Sequence, residues 1–184
     1  MCRESKEYQG HGWGMAWRQN GLWQTYKSLT PIWEDRLPDA GEADLLAVHA
    51  RSAFRDEGIL LENNMPFSAD GRVFIFNGEL HGVRLKARGR IGAEKIFTTI
   101  NRMDRGDPAL SFQRAVAVIT KRARKVRAMN ILMTDGRFVF VNCQYAEDPD
   151  YFRLYHQTGE IEAFCSQPLG KGWRPLPNHS NMVV

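Results

Sequence analysis

Aromatic and apolar residues recur in short clusters along the chain, separated by turn formers. Gly14-Met15-Ala16-Trp17 and Leu22-Trp23-Gln24-Thr25-Tyr26 flank Gln19-Asn20-Gly21. Asn-Gly between aromatic runs predicts a hairpin. The continuous apolar run Leu45-Leu46-Ala47-Val48-His49 predicts a buried strand. Asp70-Gly71 opens another strand over 72–76, with Asn77 at its end. Asn130-Ile131-Leu132-Met133 and Arg137-Phe138-Val139-Phe140-Val141 predict a second hairpin about Asp135-Gly136. Residues 151–156 and 161–166, joined by Gln157-Thr158-Gly159, predict a third.

Between these strands the period changes. From Ala93, the residues Ile96, Phe97, Ile100 and Met103 fall on one helical face, and Gly106 stops the helix. A second helix opens at Asp107-Pro108, a capping residue followed by the amino acid best suited to the first helical position. Its buried face is Ala109, Phe112, Val116 and Ile119. Two helices in the middle of the chain, with hairpins before and after, predict an α+β fold with segregated layers, not a parallel βαβ alternation.

Composition narrows the class. The 184 residues suit one domain, 1–184, since no linker or repeat divides them. Hydrophobic residues at 43% and charged residues at 25% exclude a disordered chain. No apolar run reaches the ~20 residues of a membrane helix, and the polar start carries no secretory signal. Three dispersed cysteines, with no Cys-x-x-Cys pair, argue against a disulfide framework or a zinc ribbon and fit a reducing cytoplasm. Cys143, Cys165, His81, His156 and His179 lack metal-ligand spacing, so no metal and no cofactor is expected, and the two cysteines read as small core residues. The net charge of +4 is too small to argue for nucleic acid. The densest basic run, 121–127, has no interleaved aromatics and reads as the solvated end of the second helix.

Four positions carry candidate chemistry. Asn77-Gly78 reads either as a turn or as an oxyanion site, in which an Asn carboxamide and a backbone N–H point at one developing negative charge. Arg51, closing His49-Ala50-Arg51, either emerges into solvent or clamps a carboxylate with its planar fork. Cys2 becomes the first residue if Met1 is removed, and it would then hold nucleophile and base together, its α-amine taking the thiol proton. His11-Gly12-Trp13-Gly14 forms a compact glycine-aromatic cluster.

In order, these pieces resemble the class II glutamine amidotransferases of the N-terminal-nucleophile hydrolase superfamily, and most of all their small stand-alone members. The resemblance rests on Gly12-Trp13-Gly14-Met15-Ala16-Trp17, on the Tyr26-Lys27-Ser28-Leu29-Thr30-Pro31 segment, and on His49-Ala50-Arg51. It continues through Asn63-Asn64-Met65-Pro66-Phe67, Phe76-Asn77-Gly78-Glu79-Leu80, the Glu94 helix, and the Ser166-Gln167-Pro168 and Trp173-Arg174-Pro175 tail. It implies a four-layer αββα sandwich with antiparallel sheets. It also implies ammonia release from glutamine or a related amide through a thioester on Cys2, with Asn77 and Gly78 holding the oxyanion and Arg51 the α-carboxylate. A separate acceptor or synthase subunit, or an oligomer, would be the partner.

Several positions depart from the family's pattern. Only a short polar stretch separates Cys2 from the glycine-aromatic segment, where the family has an apolar strand and helices, so the chain reads as shortened there. His11 stands for an aspartate, Met65 for a histidine, and Gly92 for the aspartate that holds the substrate's α-ammonium. A non-catalytic relative, keeping the sandwich as a binding or assembly module, is therefore the alternative.

Overall fold

The computed structural model describes residues 2–184. Contacts along the backbone divide the chain into two compact units, Met1–Ile75 with Met133–Arg137, and Phe76–Leu132 with Phe138–Val184.

In the first unit, β1 (Trp13–Gln19), β2 (Leu22–Ser28) and β3 (Leu45–Ala50) form an antiparallel sheet with β1 in the centre. The expected hairpin is present. Gln19 pairs with Leu22, leaving Asn20 and Gly21 as a two-residue loop with φ of 53° and 78°, the backbone a primed turn demands. One face of β1 presents Trp13, Met15 and Trp17, which pack with Tyr26, Ile32, Ala40 and Ala43. Trp13 Nε1 and Tyr26 Oη both donate to Asp35 Oδ2, at 2.9 and 3.1 Å.

β3 corrects its expectation. It is an edge strand, with Leu46 and Val48 exposed. Its uninterrupted apolar run suggested burial on both faces, but only one long edge of the strand is paired. The unit also holds β4 (Phe67–Ala69) and the start of β5 (Arg72–His81), joined by a second two-residue turn at Asp70 and Gly71 with φ of 51° and 74°.

In the second unit β5 runs on to His81. It is followed by α1 (Gly92–Arg102), α2 (Pro108–Arg122), β6 (Lys125–Thr134) and β7 (Val139–Cys143). Then come α3 (Pro149–Phe152), β8 (Tyr155–Gln157), β9 (Ala163–Cys165), β10 (Arg174–Pro175) and β11 (Ser180–Val183). The main sheet has the order β11-β7-β6-β5-β4, and a small sheet has the order β10-β8-β9. Both helices start where the pattern predicted, but α1 ends at Arg102, ahead of Gly106, so that Met103 lies past it and is only half-buried, and Ala109 at the start of α2 is half-buried too. α1 buries Ala93, Ile96, Phe97 and Ile100. α2 buries Phe112, Val116 and Ile119, and its cap is Asp107, whose side chain accepts from Leu110 N. Phe112 packs on Phe140 of β7 with ring centroids 5.6 Å apart, and burying such a side chain is worth about 1.5–3 kcal/mol. A second cluster gathers Val141, Cys143, Leu154 and Leu176. The mixture of helices with antiparallel sheets agrees with the sequence reading. No helix among the described residues is long and apolar enough to cross a membrane.

Three expectations are corrected in this unit. The strand predicted over 151–156 begins only at Tyr155, because Pro149 opens a helical turn that carries Phe152 into the core. The basic run 121–127 is divided. Lys121 and Arg122 close α2, whereas Lys125 and Arg127 belong to β6, and Arg127 is ion-paired with Glu79 and Asp148 at 3.1 and 2.9 Å. Cys143 is fully buried as expected, but Cys165 is only half-buried, with Sγ donating to Gln167 O at 2.9 Å.

Candidate functional site

The four expected site residues fall in both units: Cys2 and Arg51 in the first, Asn77 and Gly78 in the second.

Arg51 follows the last residue of β3, and its backbone is fixed by the glycine-aromatic segment. Arg51 N donates to Gly12 O at 2.9 Å, and His11 N donates to Arg51 O at 3.2 Å. His11 is held in turn. Its Nδ1 accepts from Ala53 N at 2.9 Å, and its Nε2 lies 3.4 Å from Asp56 Oδ1. Gly12 is required here. Its φ is 97°, and a Cβ would stand 2.4 Å from Ser28 O. Only glycine combines that backbone with so close an approach.

The Arg51 side chain does not emerge into solvent. The residue is 6% exposed, and its Nη1 has no hydrogen-bond partner among the described residues. Burial alone pushes the guanidinium below its ordinary range. A buried cation without an anion is costly.

Asn63 approaches Arg51, and Asn64 follows it in the chain; the sequence marks neither for a role of its own. Asn63 is 3% exposed, its Nδ2 donates to Gly58 O at 2.9 Å, and its Oδ1 is buried without a partner. Asn64 is fully buried, and its Nδ2 donates to Ser28 O at 2.8 Å. Gly58 marks where Arg51 and Asn63 approach each other. A Cβ on it would lie 3.3 Å from Asn63 Nδ2 and 4.0 Å from Arg51 Nη2. The available signal was a pair of asparagines ahead of Met65-Pro66, but their significance depends on packing against a loop whose fold the sequence does not announce.

Cys2 sits in a single 3-10 turn, Cys2–Glu4, and is half-buried. Burial pushes its thiol up from the ordinary value, so less thiolate is present at neutral pH. Among the described residues no hydrogen bond or ion pair ties the Cys2 side chain to Arg51. The expected removal of Met1 lies outside the described residues.

Asn77 and Gly78 are half-buried within β5. Asn77 was expected at a strand end, and the ladder instead runs four residues further, to His81. A Cβ on Gly78 would stand 2.2 Å from Ala128 O of β6, so close packing of the two strands by itself requires glycine there. At the start of α1, a side chain on Gly92 would meet nothing within 4 Å. The missing carboxylate at that position is therefore not forced by packing. Glu94 in the same turn is taken by Arg90, at 2.7 Å.

No protein-family model matches the chain, and no curated protein sequence matches it. Solved structures do. A glutamine aminotransferase class-II domain protein from Silicibacter pomeroyi superimposes with a TM-score of 0.67 at 17% identity, covering 93% of this chain and 86% of that one. A predicted glutamine amidotransferase from Pseudomonas aeruginosa PA01 gives 0.61 at 16% identity, covering 94% of this chain and 83% of that one. Glutamine phosphoribosylpyrophosphate amidotransferase from B. subtilis gives 0.60 at 16% identity over 86% of this chain, which spans 36% of that longer protein. The fold is therefore class II glutamine amidotransferase-like, as the motifs of the sequence implied.

Proposed function

We propose that the chain, as a single functional domain over 1–184, releases ammonia from a carboxylate-bearing amide, glutamine or a relative of it, with Cys2 as nucleophile. The observation that supports this reading is the buried Arg51 guanidinium with an unpartnered Nη1, a receptor for a carboxylate. The resemblance in fold supplies the rest of the scheme.

Cys2 Sγ would attack the carboxamide carbon once its proton has passed to the α-amine freed by loss of Met1. A C–S bond forms, and the carbonyl electrons move to oxygen. Asn77 Nδ2 and the Gly78 N–H would donate to that oxyanion, and each such donor is worth roughly 2.7–4 kcal/mol in known cases. Collapse breaks the C–N bond, the amine returns its proton to the leaving nitrogen as ammonia, and water then cleaves the thioester. No metal and no cofactor enters the scheme. Cytoplasmic residence and a separate acceptor protein for the ammonia belong to the same proposal.

The second reading, a non-catalytic binding module, is favoured by one observation: Cys2 lies on a short turn with its thiol pushed up by burial.

Ammonia release from glutamine and from glutaramate, by wild type and Cys2→Ala, decides between the two, together with the mass of the purified chain. The expected result is Cys2-dependent release, weak with glutamine. Gly92 brings no carboxylate to an α-ammonium, and the lost charge-assisted bond of about 1.5–3 kcal/mol corresponds to a specificity constant roughly tenfold to hundredfold lower. Release that survives Cys2→Ala overturns the mechanism. No release from either amide, with Met1 retained, establishes the binding module.

A further inference from the structure

We infer that an exposed row of cations on the strap between β5 and α1 binds the phosphates of a single-stranded nucleic acid, whatever its base sequence. None of Cys2, Arg51, Asn77 or Gly78 takes part, so this is independent of the function proposed above.

The modest charge of the whole chain conceals its distribution. Residues 84–127 hold thirteen of the 25 Lys and Arg but only three of the 21 acids. That stretch carries +10, and the rest of the chain −6. Clustered basic charge, more than net charge, is the electrostatic footprint of a polyanion site.

The strap, residues 82–91, gives the charge an order. Exposure alternates along it: Val83, Leu85 and Ala87 are half-buried, whereas Arg84, Lys86, Arg88 and Arg90 are exposed. This is the alternation of an extended chain, in which every second side chain shares a face, about 6.6 Å from the next. Neighbouring elements add to the same charge. Arg102 of α1 donates from Nη1 to Lys86 O at 2.9 Å, and at the start of the strap Arg124 N donates to His81 O at 2.9 Å. Arg90 is held by Glu94 at 2.7 Å. Arg84, Lys86, Arg88, Arg102 and Arg124 are exposed and form no ion pair among the described residues. The charge of Lys125 and Arg127 is answered by Glu147, Glu79 and Asp148; that of the strap is not.

The period of the row selects the partner. A nucleic acid carries one phosphate per nucleotide at a near-constant spacing whatever its sequence, and a flexible single strand can lay successive phosphates along one file of cations. Carboxylates on a protein surface keep no such period. A membrane would be met by charge alone, because the apolar side chains of the strap turn inward. Three of the four strap cations are Arg, whose planar fork grips a phosphate through two parallel hydrogen bonds. Residues 82–91 include no Phe, Tyr or Trp, so the strap offers no platform for base stacking and nothing to read base identity.

The test is fluorescence anisotropy of the full chain with a labelled oligothymidylate of about 20 nucleotides. With four or five phosphate contacts, log affinity should fall against log salt with a slope of about −3, or roughly fiftyfold between about 50 and 200 mM. The triple variant Arg84→Ala, Lys86→Ala, Arg88→Ala should lose at least about thirtyfold in affinity at the lower salt, and its slope should shrink by about 2. Arg36→Ala, Lys171→Ala, Arg174→Ala removes the same charge from exposed positions elsewhere and should cost less than about threefold. Arg84→Lys with Arg88→Lys keeps the charge and should keep most of the binding, which separates lost charge from a lost fold. Oligoadenylate should bind within about threefold of oligothymidylate. Polyglutamate, and phosphatidylserine–phosphatidylcholine vesicles at equal anionic charge, should bind at least about tenfold more weakly.

No binding of the oligonucleotide at about 50 mM salt, an unchanged affinity in the strap variant, an equal loss in the control variant, or tighter binding to polyglutamate or to the vesicles overturns the inference.

Discussion

Arg51 and Arg127 are both largely withdrawn from water, yet their surroundings differ in kind. Arg127 on β6 is surrounded by acids: Glu79 at 3.1 Å, Asp148 at 2.9 Å and Glu147 at 3.7 Å, with the Phe152 ring 5.0 Å from its guanidinium carbon. Every charge in that cluster is answered from within the chain. Arg51 has a backbone fixed on both sides and a guanidinium whose Nη1 has no hydrogen-bond partner among the described residues. A satisfied buried arginine is part of the architecture. An unsatisfied one is held there at a cost to stability, which the proposed carboxylate ligand would offset.

The largest expected effect breaks the contrast at its functional end. Arg51→Met should weaken binding of a carboxylate ligand at least thirtyfold, in line with the roughly 2–5 kcal/mol lost when one member of a buried charge pair is removed. The thermal midpoint of the ligand-free chain should hold or rise, because an unpaired buried cation has been exchanged for an apolar side chain of similar volume. A fall in midpoint with unchanged binding would show that Arg51 is structural after all.

A smaller effect of opposite sign belongs to the other arginine. Arg127→Met leaves Glu79, Glu147 and Asp148 without their common cation. At about 1–3 kcal/mol for charge-assisted bonds in partly exposed positions, the midpoint should drop by several degrees. Differential scanning calorimetry of the two Met variants side by side reads both signs in one experiment.

The smallest effect concerns acid. Ser28, Trp13 and Tyr26 hydrogen-bond to Asp35 and hold its carboxyl below the usual range in the folded chain. The stability this contributes is complete above the unfolded value of about 4 and is lost as pH falls below it toward the lowered folded value. Acid titration of Trp fluorescence should show this loss, and Asp35→Asn should flatten it while lowering stability at neutral pH. An identical acid limb in the variant would remove Asp35 from the account.

What the sequence disclosed was local. Asn20-Gly21 and Asp107-Pro108 carry their geometry in their own chemistry, a left-handed turn in one and a capped helix start in the other, so both were legible without a structure. Asn77-Gly78 misled because the dipeptide announces a strand end, whereas here the glycine answers the approach of Ala128 O from a strand far along the chain. Leu45 to His49 misled in a similar way, since apolar content does not distinguish an edge from a centre. Arg51 stands out in the sequence through its motif, but neither its burial nor the unpartnered carbonyl of Asn63 does, because an unpartnered atom is a property of surroundings that no single segment encodes.

The main sheet also has a temporal consequence. Its neighbours β5 and β6 are separated in the chain by about forty residues that contain both α1 and α2. The helices draw on contacts a few residues apart and can form within about a microsecond. The strands that flank them must close a long loop before their ladder yields anything, and topologies of that kind fold on millisecond-to-second scales. During that interval the apolar faces of α1 and α2 precede the sheet that will cover them, so a refolding chain should pass through its most aggregation-prone moment after its helical signal has appeared and before β5 and β6 meet.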